Sequence, residues 1–286
     1  MTTPVRIAFQ GELGAFSEEA IRNLDAHAIP VPCREFIDVA LAVESGEVDA
    51  GMLPIENTLA GSVVGSYDAL TACESLHVTS ETIVEIHHCV LAPRGASLAT
   101  LATIESHPVA LAQCTRWLRS HPAITARAAY DTAGAARDVA QRSDARSAAI
   151  AARGAAARYD LEILAANIED RSDNQTRFLM IARAPRAPDR AVAARTALLI
   201  TTPNVPGALL RVLEPLAANE INMSKLESRP ADEPWHYRFF LELDHPAADP
   251  SLATALDQLR GATESLRVLG TYPRWVAGRE PVHVAD

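Results

Sequence analysis

Short apolar runs alternate with amphipathic stretches over the first fifty residues, and this alternation limits the possible folds more than any other feature. Apolar runs at residues 5–9, 31–36 and 48–53 are separated by stretches at 17–24 and 39–45 that have helical spacing. Strands separated by helices indicate a sheet covered by helices. The sequence therefore predicts an α/β fold for this part of the chain.

A long β-rich segment at residues 76–92 departs from that rhythm, which resumes between residues 107 and 163. The clearest strands there are expected at 149–151 and 161–164, and the run at 176–183 closes the unit. We interpret residues 76–92 as a crossing into a second lobe. The sequence thus predicts two α/β lobes, joined by crossing strands, with a cleft between them that suits a small ligand.

The C-terminal part of the chain has a different order. Residues 184–194 contain two prolines and almost no large apolar side chains, which predicts a linker. Strand-like and helix-like segments then follow in the order βαββαβ, at residues 196–202, 207–218, 221–227, 237–243, 252–259 and 265–270. This order is typical of a ferredoxin-like unit. We therefore expect two domains, at residues 1–184 and 195–272.

Composition excludes several classes of function. The formal net charge is −10, and no basic stripe interleaved with aromatic residues is present, which argues against a nucleic-acid partner. The four cysteines have no metal-site spacing, which favours a reduced, cytoplasmic protein. No apolar segment has transmembrane length, and the chain runs from Met1 almost directly into its first strand, so we expect neither a membrane span nor a signal peptide. Lys225 is the single lysine, which makes Schiff-base chemistry improbable.

The run Asn-Gln-Thr-Arg-Phe at residues 174–178 is the strongest candidate for a functional motif. It follows Asp170 and opens the apolar stretch at residues 178–181, so it is expected at the mouth of a buried strand. Ligands of α/β proteins usually bind at such strand ends. A Thr-Arg-Phe sequence at a strand start is also compatible with ordinary β-structure, and the run alone does not separate the two interpretations.

Several motifs together resemble the prephenate dehydratase family over nearly the whole chain. The family's Thr-Arg-Phe signature with its upstream polar residues is present as Asp170, Asn174, Thr176, Arg177 and Phe178. The family's Pro-Ile-Glu-Asn loop, its Ser-His-Pro motif with a following glutamine, and its Asp-Thr-Ala signature are similar to residues 54–57, 106–108 with Gln113, and 131–133. The N-terminal segment at 11–17 departs from the family pattern, because Ala15 replaces the usual threonine and no proline stands at position 12 or 13.

The C-terminal unit resembles the ACT domain that places such enzymes under amino-acid control. The motifs are Pro-Gly-Ala-Leu-Leu at 206–210 and Glu-Ser-Arg-Pro at 227–230. The resemblance implies an L-phenylalanine effector and pairing of ACT units edge to edge, which gives a homodimer or a homotetramer. It assigns effector binding to Asn204, Gly207, Ala208, Leu209, Leu210, Glu227, Ser228, Arg229 and Pro230.

The resemblance implies that the chain converts prephenate to phenylpyruvate, water and carbon dioxide in L-phenylalanine biosynthesis, with no cofactor and no metal. Prephenate is a dianion, and the planar fork of Arg177 suits a carboxylate, although Arg177 is also suited to support the site from behind. Thr176 is expected to orient the leaving hydroxyl group. Glu56 is the alternative acid if an apolar cleft keeps it protonated; otherwise it is expected to cap a following helix.

The remaining candidates for substrate binding are polar side chains near strand ends and one aromatic ring. Asn57, Ser106 and Gln113 are expected to give directional hydrogen bonds, although such residues also form turns. Asn174 and Phe178 complete the predicted site, with Phe178 packing beneath it. His107 precedes a proline and is expected to be structural. His87 and His88 are adjacent in a β-rich segment and cannot chelate one metal ion together, because their side chains point to opposite faces.

Two alternatives to this function stay open. An arogenate dehydratase performs the same elimination on the transaminated substrate, and the named residues do not separate the two enzymes. A non-enzymatic amino-acid sensor is also compatible with two α/β lobes and an ACT unit. A sensor of this kind predicts a secretion signal or a DNA-binding segment, and the sequence shows neither.

Overall fold

The computed structural model describes residues 4–189 and 192–276, which form two compact units. The first unit comprises the residues up to 74 together with 82–179. The second unit comprises 75–81 together with the described residues from 180 onward. Among the described residues, no helix is both long and apolar enough to cross a membrane.

The first sheet of the chain has strand order β2-β1-β3-β11-β5, with β4 paired to β3. β1 pairs in parallel with both β2 and β3, as the βαβ rhythm predicts. Its strands are β1 (Arg6–Gln10), β2 (Ile29–Cys33), β3 (Ala50–Asn57), β4 (Gly61–Ser62), β5 (His77–Glu85) and β11 (Gln175–Ala182). The helices are α1 (Phe16–Leu24), α2 (Phe36–Ser45) and α3 (Val64–Ala72).

The second sheet has strand order β10-β6-β9-β7-β8. Its strands are β6 (Cys89–Ala92), β7 (Thr103–Ser106), β8 (Thr125–Ala128), β9 (Ser147–Ala151) and β10 (Glu162–Ala165). The helices are α4 (Pro108–Gln113), α5 (Thr115–Ser120), α6 (Thr132–Arg142) and α7 (Arg153–Tyr159). Separate apolar clusters, one around Leu91 and Val139 and the other around Val90 and Ile104, form the core of this part. The prediction of two α/β lobes is confirmed.

Local sequence explains where the helices begin. α2 opens with a capping box, in which the side chains of Glu35 and Asp38 each accept a hydrogen bond from the other residue's backbone N–H group. This cap starts α2 three residues before the predicted start at 39, and the predicted strand at 31–36 ends at Cys33 for the same reason. α6 begins at Asp131, whose carboxylate accepts a hydrogen bond from the N–H of Gly134 at 2.7 Å.

Two segments, at residues 86–88 and 166–174, connect the two sheets of the first unit and are hydrogen-bonded to each other. The N–H of Ile86 donates to the carbonyl of Asn174 at 2.8 Å, and the N–H of Ile168 donates to the carbonyl of His88 at 3.1 Å. The crossing is therefore much shorter than the predicted segment 76–92, most of which lies in β5 and β6.

Gly14 makes a close backbone contact within the first unit. Its φ is +89°, and a Cβ atom there would lie 2.8 Å from the Cα of Ala155 on α7. We therefore expect Gly14→Ala to lower the free energy of unfolding by about 2 kcal/mol or more. Gly95→Ala is the matched control, because Gly95 also has a positive φ but has no atom within 4 Å of the added Cβ. Its expected effect in the same urea denaturation is about 1 kcal/mol, and equal losses for both variants would contradict the close contact.

The second unit has the predicted βαββαβ order and strand order β13-β14-β12-β15, which is ferredoxin-like. Its elements are β12 (Ala193–Thr201), α8 (Ala208–Ala218), β13 (Asn222–Pro230), β14 (Tyr237–Pro246), α9 (Pro250–Ala262) and β15 (Ser265–Pro273). Leu198, Val212, Leu241 and Leu259 are among the buried residues of its core. β12 begins inside the predicted linker at 184–194, of which Arg190 and Ala191 lie outside the described residues, as do residues 277–286 of the tail.

A cluster of buried charged side chains lies in the second unit. We call Arg195, Glu81, Glu242 and Asp244 the Arg195 cluster. The guanidinium group of Arg195 lies 2.8 Å from the carboxylate of Glu81, 3.7 Å from that of Glu242 and 2.7 Å from that of Asp244, and no side chain of the four is more than 14% exposed. Arg274 adds a more exposed contact to Asp244 at 3.4 Å. One buried cation therefore faces three carboxylates.

Candidate active site

The predicted residues Asn57, Asn174 and Thr176 meet where β3 ends and β11 begins. The side-chain nitrogen of Asn57 lies 2.8 Å from the Oδ1 atom of Asn174, 2.9 Å from the Oγ1 atom of Thr176 and 3.1 Å from the carbonyl of Gln175. Asn174 and Thr176 are buried, with Thr176 9% exposed. The structure thus brings together residues that are more than a hundred positions apart in sequence.

Backbone groups fix the orientation of the Asn57 amide. Its Oδ1 atom accepts hydrogen bonds from the N–H groups of Leu59 at 3.0 Å and Ala60 at 2.8 Å. A backbone N–H can only donate, so the oxygen of Asn57 must face these groups and its nitrogen must face Asn174 and Thr176. This removes the ambiguity that normally attends the two ends of an amide side chain.

The orientation of Asn57 determines the orientation of the next two amides. Because Asn57 donates to the Oδ1 atom of Asn174, the Nδ2 atom of Asn174 is the donor to the Oε1 atom of Gln113 at 3.1 Å. The same Oε1 atom lies 2.9 Å from the Nε2 atom of His88. A carbonyl oxygen only accepts, so the Nε2 atom of His88 carries a proton. We call this series, from His88 through Gln113, Asn174 and Asn57 to Thr176, the polar chain.

The polar chain leaves hydrogen-bond donors unused at two of its members. Thr176 accepts from Asn57 and has no other hydrogen-bond partner among the described residues, so its hydroxyl proton is available. The Nε2 atom of Gln113 likewise makes no hydrogen bond within the described part of the chain, and it is not fully buried. A group of this kind is suited to bind a ligand that is rich in acceptor oxygens.

Glu56 and Arg177 form an ion pair next to the polar chain, at 3.4 Å between guanidinium and carboxylate. Glu56 lies on β3 opposite Ser62 of β4. Its side chain is 41% exposed and pairs with a cation, which is not the apolar environment that a protonated acid requires. The side chain of Arg177 is 11% exposed.

Ser106 and Phe178 are both buried. The hydroxyl of Ser106 donates to the carbonyl of Ile150 at 2.6 Å, and Ser106 has no exposed surface. Its single hydroxyl proton is therefore used inside the second sheet. Phe178 is 2% exposed and packs in the core of the first unit.

Two other motif residues act as helix caps. The carboxylate of Asp170 accepts hydrogen bonds from the backbone N–H groups of Thr115 at 3.0 Å and Arg116 at 2.8 Å, at the start of α5. His107 caps α4 by accepting from the N–H of Val109 at 3.3 Å, so its predicted structural role is confirmed. Neither side chain is a member of the polar chain.

The departure of the N-terminal segment from the family pattern has a structural counterpart. Ala15 is the N-cap residue of α1 and supplies no side-chain cap. The carboxylate of Glu12 accepts hydrogen bonds from Arg137 at 2.6 Å and from the hydroxyl of Tyr130 at 3.2 Å. These three side chains line a cavity of about 670 Å³, together with Gln10, Gly11, Pro32, Cys33, Arg34 and Glu35.

His88 and Glu169 also belong to this region, although no sequence motif marks them. His88 is 2% exposed, and burial lowers its pKa despite the hydrogen bond to Gln113. Glu169 accepts from the backbone N–H of His88 at 2.9 Å and pairs with His87 at 2.8 Å; that bond raises the pKa of His87. No cluster of potential metal ligands occurs among the described residues. In the sequence, the one sign of a role for His88 was its position in a β-rich, largely apolar segment, where histidine was weighed only as a metal ligand.

The predicted effector residues surround the start of α8 and the β13–β14 hairpin. A cavity of about 160 Å³ is lined by Thr202, Pro203, Asn204, Val205, Ala208, Leu209, Trp235, His236, Tyr237 and Phe239. Gly207 is the N-cap residue of α8. Of the predicted effector residues, Asn204, Ala208 and Leu209 line this cavity, whereas Gly207, Leu210 and residues 227–230 do not. On the edge strand β13, Ser228 pairs with Phe239 and Pro230 pairs with Tyr237, two residues that do line it.

Comparisons with known proteins agree with this architecture. The sequence profile of prephenate dehydratase matches residues 7–186, and that of the ACT domain matches residues 196–261. A protein of Arabidopsis thaliana named arogenate dehydratase/prephenate dehydratase 2, chloroplastic, is 38% identical over 94% of this chain and 73% of its own length.

Two solved structures are similar over almost the whole chain. Prephenate dehydratase from Arthrobacter aurescens in complex with L-Phe is 33% identical, with a TM-score of 0.88, and the match covers 98% of this chain and 93% of that one. GqqA, described as a novel type of quorum quenching acylase, is 34% identical, with a TM-score of 0.88 and coverage of 96% and 100%.

The fold and the two profiles define an α/β enzyme joined to a regulatory domain of the amino-acid-binding kind. The chain belongs to the prephenate dehydratase family and is a carbon–oxygen lyase that acts on prephenate.

Proposed function

We propose that Thr176 and the polar chain carry out the decarboxylating dehydration of prephenate to phenylpyruvate. The Thr176 hydroxyl donates a hydrogen bond to the departing ring hydroxyl group, and Gln113 and Arg177 bind the carboxylates. The electron pair released by loss of carbon dioxide makes the ring aromatic and expels the hydroxyl group as hydroxide, which takes a proton from solvent to become water. The enzyme's task is therefore to orient the dianion and to stabilise the leaving oxygen.

The observation that carries this proposal is the direction of the hydrogen bond between Asn57 and Thr176. Asn57 donates at 2.9 Å, and its orientation is fixed by the N–H groups of Leu59 and Ala60. The hydroxyl of Thr176 therefore keeps its proton for a ligand. A donated hydrogen bond is what a departing hydroxide needs, because negative charge accumulates on its oxygen.

The substrate-binding role of Gln113 has the same support. Its oxygen accepts from His88 and Asn174, and its nitrogen retains its protons. Arg177 adds a guanidinium group that is mostly buried and beside Glu56. Carboxylates are bound most strongly by charged and N–H donors, so these groups suit the two carboxylates of prephenate.

We infer control by L-phenylalanine at the cavity beside α8, in a homodimer or homotetramer. Exposed apolar residues cluster around that cavity, with Val205, Leu210, Trp235 and Tyr237 each more than 45% exposed. Apolar surface of this kind favours coverage by another protein surface, here a second copy of the ACT domain. The solved relative from Arthrobacter aurescens was determined in complex with L-Phe. The free thiols of the four cysteines suit the proposed cytoplasmic location.

Turnover assays test the proposal directly. Purified full-length protein is incubated with prephenate or with arogenate, each with and without L-phenylalanine, and the keto-acid or amino-acid product is quantified. We expect phenylpyruvate formation that responds to L-phenylalanine. Turnover of arogenate alone would reassign the substrate, and binding of L-phenylalanine without turnover of either compound would favour the sensor.

Asn57→Asp tests the direction of the hydrogen bond to Thr176. The carboxylate is nearly isosteric and still accepts from Leu59 and Ala60, but it no longer donates, so the Thr176 hydroxyl turns to donate toward residue 57. We expect kcat to fall by about tenfold or more, as measured by steady-state kinetics with prephenate. Asn57→Asp with unchanged kcat would show that Thr176 does not act through its proton.

A further inference from the structure

We propose that His88 is a positioning residue that locks the Gln113 carboxamide with its oxygen inward and its N–H groups toward a substrate carboxylate. The inference rests on the proposed function, since it assigns a role in that site to a residue outside the recognised motifs. His88 is not expected to touch the substrate.

The Nε2 atom of His88 carries a proton. This atom lies 2.9 Å from the Oε1 atom of Gln113, which also accepts from Asn174. If Gln113 were flipped, its nitrogen would face the nitrogen of Asn174, donor against donor. Asn174 cannot flip in compensation, because Asn57 donates to its oxygen. His88 is therefore the neutral Nε2–H tautomer or a fully protonated imidazolium.

The His88 ring is not a protonated imidazolium. The Nδ1 atom of His88 is buried and has no hydrogen-bond partner in the described part of the chain. The ring lies edge-on to Phe16, at 5.7 Å between centroids. A protonated Nδ1 atom would be a buried donor without an acceptor, which is strongly disfavoured. The lowered pKa that burial gives His88 agrees with a neutral ring.

Backbone hydrogen bonds hold His88 in a fixed position. The backbone N–H of His88 donates to the Oε2 atom of Glu169 at 2.9 Å, and the His88 carbonyl accepts from Ile168 at 3.1 Å. The residue is thus fastened on both sides to the segment that leads into β11. A histidine held in this way fixes the amide opposite it, because only one rotamer of Gln113 satisfies both His88 and Asn174.

The two ends of the Gln113 carboxamide therefore have different roles. The oxygen is occupied inside the protein, and the nitrogen is accessible and makes no hydrogen bond within the described residues. Without His88, only the hydrogen bond from Asn174 holds the carboxamide, and a Gln113 side chain that rotates away from it presents its carbonyl oxygen to the carboxylate, which repels it. Binding of the substrate is then weakened in the ground state and in the transition state alike, so KM rises more than kcat falls.

Two substitutions of His88 test whether it positions the Gln113 carboxamide, with His87→Gln as the control at the neighbouring residue. His88→Leu removes the donor, and we expect KM for prephenate to rise about tenfold, the effect of one lost hydrogen bond to a charged group. His88→Gln restores an N–H near the Nε2 position and is expected to keep KM within about threefold of wild type. Equal KM changes in both variants, or a fall in kcat with unchanged KM, would overturn the proposal.

Gln113→Glu separates the inward and outward roles of residue 113. A carboxylate still accepts from His88 and Asn174, so a purely structural residue 113 would tolerate the change. Because the outward N–H groups become an acceptor with negative charge, we expect KM to rise about 100-fold, larger than for a neutral loss. An unchanged KM would show that Gln113 does not bind the carboxylate.

A spectroscopic test does not depend on turnover. Nitrogen-15 NMR of the histidine-labelled full chain is expected to show His88 as the neutral Nε2–H tautomer at neutral pH, assigned by loss of the signal in His88→Gln. The Nδ1–H tautomer would overturn the lock even in an active enzyme. A wild type inactive on prephenate but with the Nε2–H tautomer would instead contradict the proposed function alone.

Discussion

Thr176→Val is expected to lower kcat for phenylpyruvate formation by about 100- to 1000-fold, the scale of a lost donor to a developing oxyanion. Valine has nearly the same shape as threonine and lacks only the hydroxyl group. The loss therefore measures the hydrogen bond from Thr176 to the leaving oxygen. Steady-state kinetics with saturating prephenate give the number.

One feature of the structure and one matched variant separate this loss from a loss of folding. The Asn57 amide has two protons and three acceptors within 3.1 Å, so it keeps an acceptor for each proton when the Thr176 oxygen is removed. The unfolding midpoint of Thr176→Val is thus expected to stay close to that of wild type. Thr176→Ser retains the hydroxyl and is expected to keep kcat within about tenfold. A Thr176→Val enzyme as active as Thr176→Ser would remove Thr176 from the mechanism.

Arg195→Met is expected to lower the free energy of unfolding by about 3 kcal/mol or more, the typical result of removing one partner from a buried ion pair. Glu81, Glu242 and Asp244 all lose the guanidinium group that lies within 4 Å of them. Arg274→Met is the matched control. The Arg274 side chain is 45% exposed and contacts only Asp244 among these carboxylates, so an effect within about 1 kcal/mol is expected. Urea denaturation measures both variants, and equal losses would contradict the role of burial.

The stability difference between wild type and Arg195→Met is expected to depend on pH. Burial raises the pKa of the Asp244 carboxyl group, but the hydrogen bond and charge of Arg195, together with the hydrogen bond from Ser224 and the charge of Arg274, bring that pKa below its ordinary value. A group with a lowered pKa in the folded state stabilises the protein above its unfolded-state pKa and loses that contribution as the pH falls through the folded-state pKa. The stability difference between wild type and Arg195→Met should therefore have its full size at neutral pH and become smaller in acid. A difference that widens in acid would contradict the ion pair.

Periodicity in the sequence was sufficient to predict the fold. The alternation over residues 5–53 and the βαββαβ order after residue 195 each follow from apolar spacing that tertiary packing did not override. Boundaries shifted where a local cap decided them, as at Glu35 for α2. The resemblance also singled out Asn57, Gln113, Asn174 and Thr176, which the structure joins by hydrogen bonds.

The direction of those hydrogen bonds was not predictable from sequence. It depends on the backbone N–H groups of Leu59 and Ala60, which no motif marks. His88 is separated from Gln113 by 25 positions, so only the folded chain shows that they are partners. Ser106 was expected at the substrate, but it is buried and its hydroxyl donates to Ile150, which follows from the pairing of β7 with β9 and not from its own motif.

A competition assay with prephenate and arogenate in equal amounts tests the central claim most directly. The ratio of the two products gives the ratio of kcat/KM values in one vessel, independent of enzyme concentration. We predict that phenylpyruvate predominates and that Thr176→Val abolishes its formation. Predominant formation of phenylalanine would contradict the assignment of prephenate as the preferred substrate, and phenylpyruvate formation unaffected by Thr176→Val would contradict the assigned site.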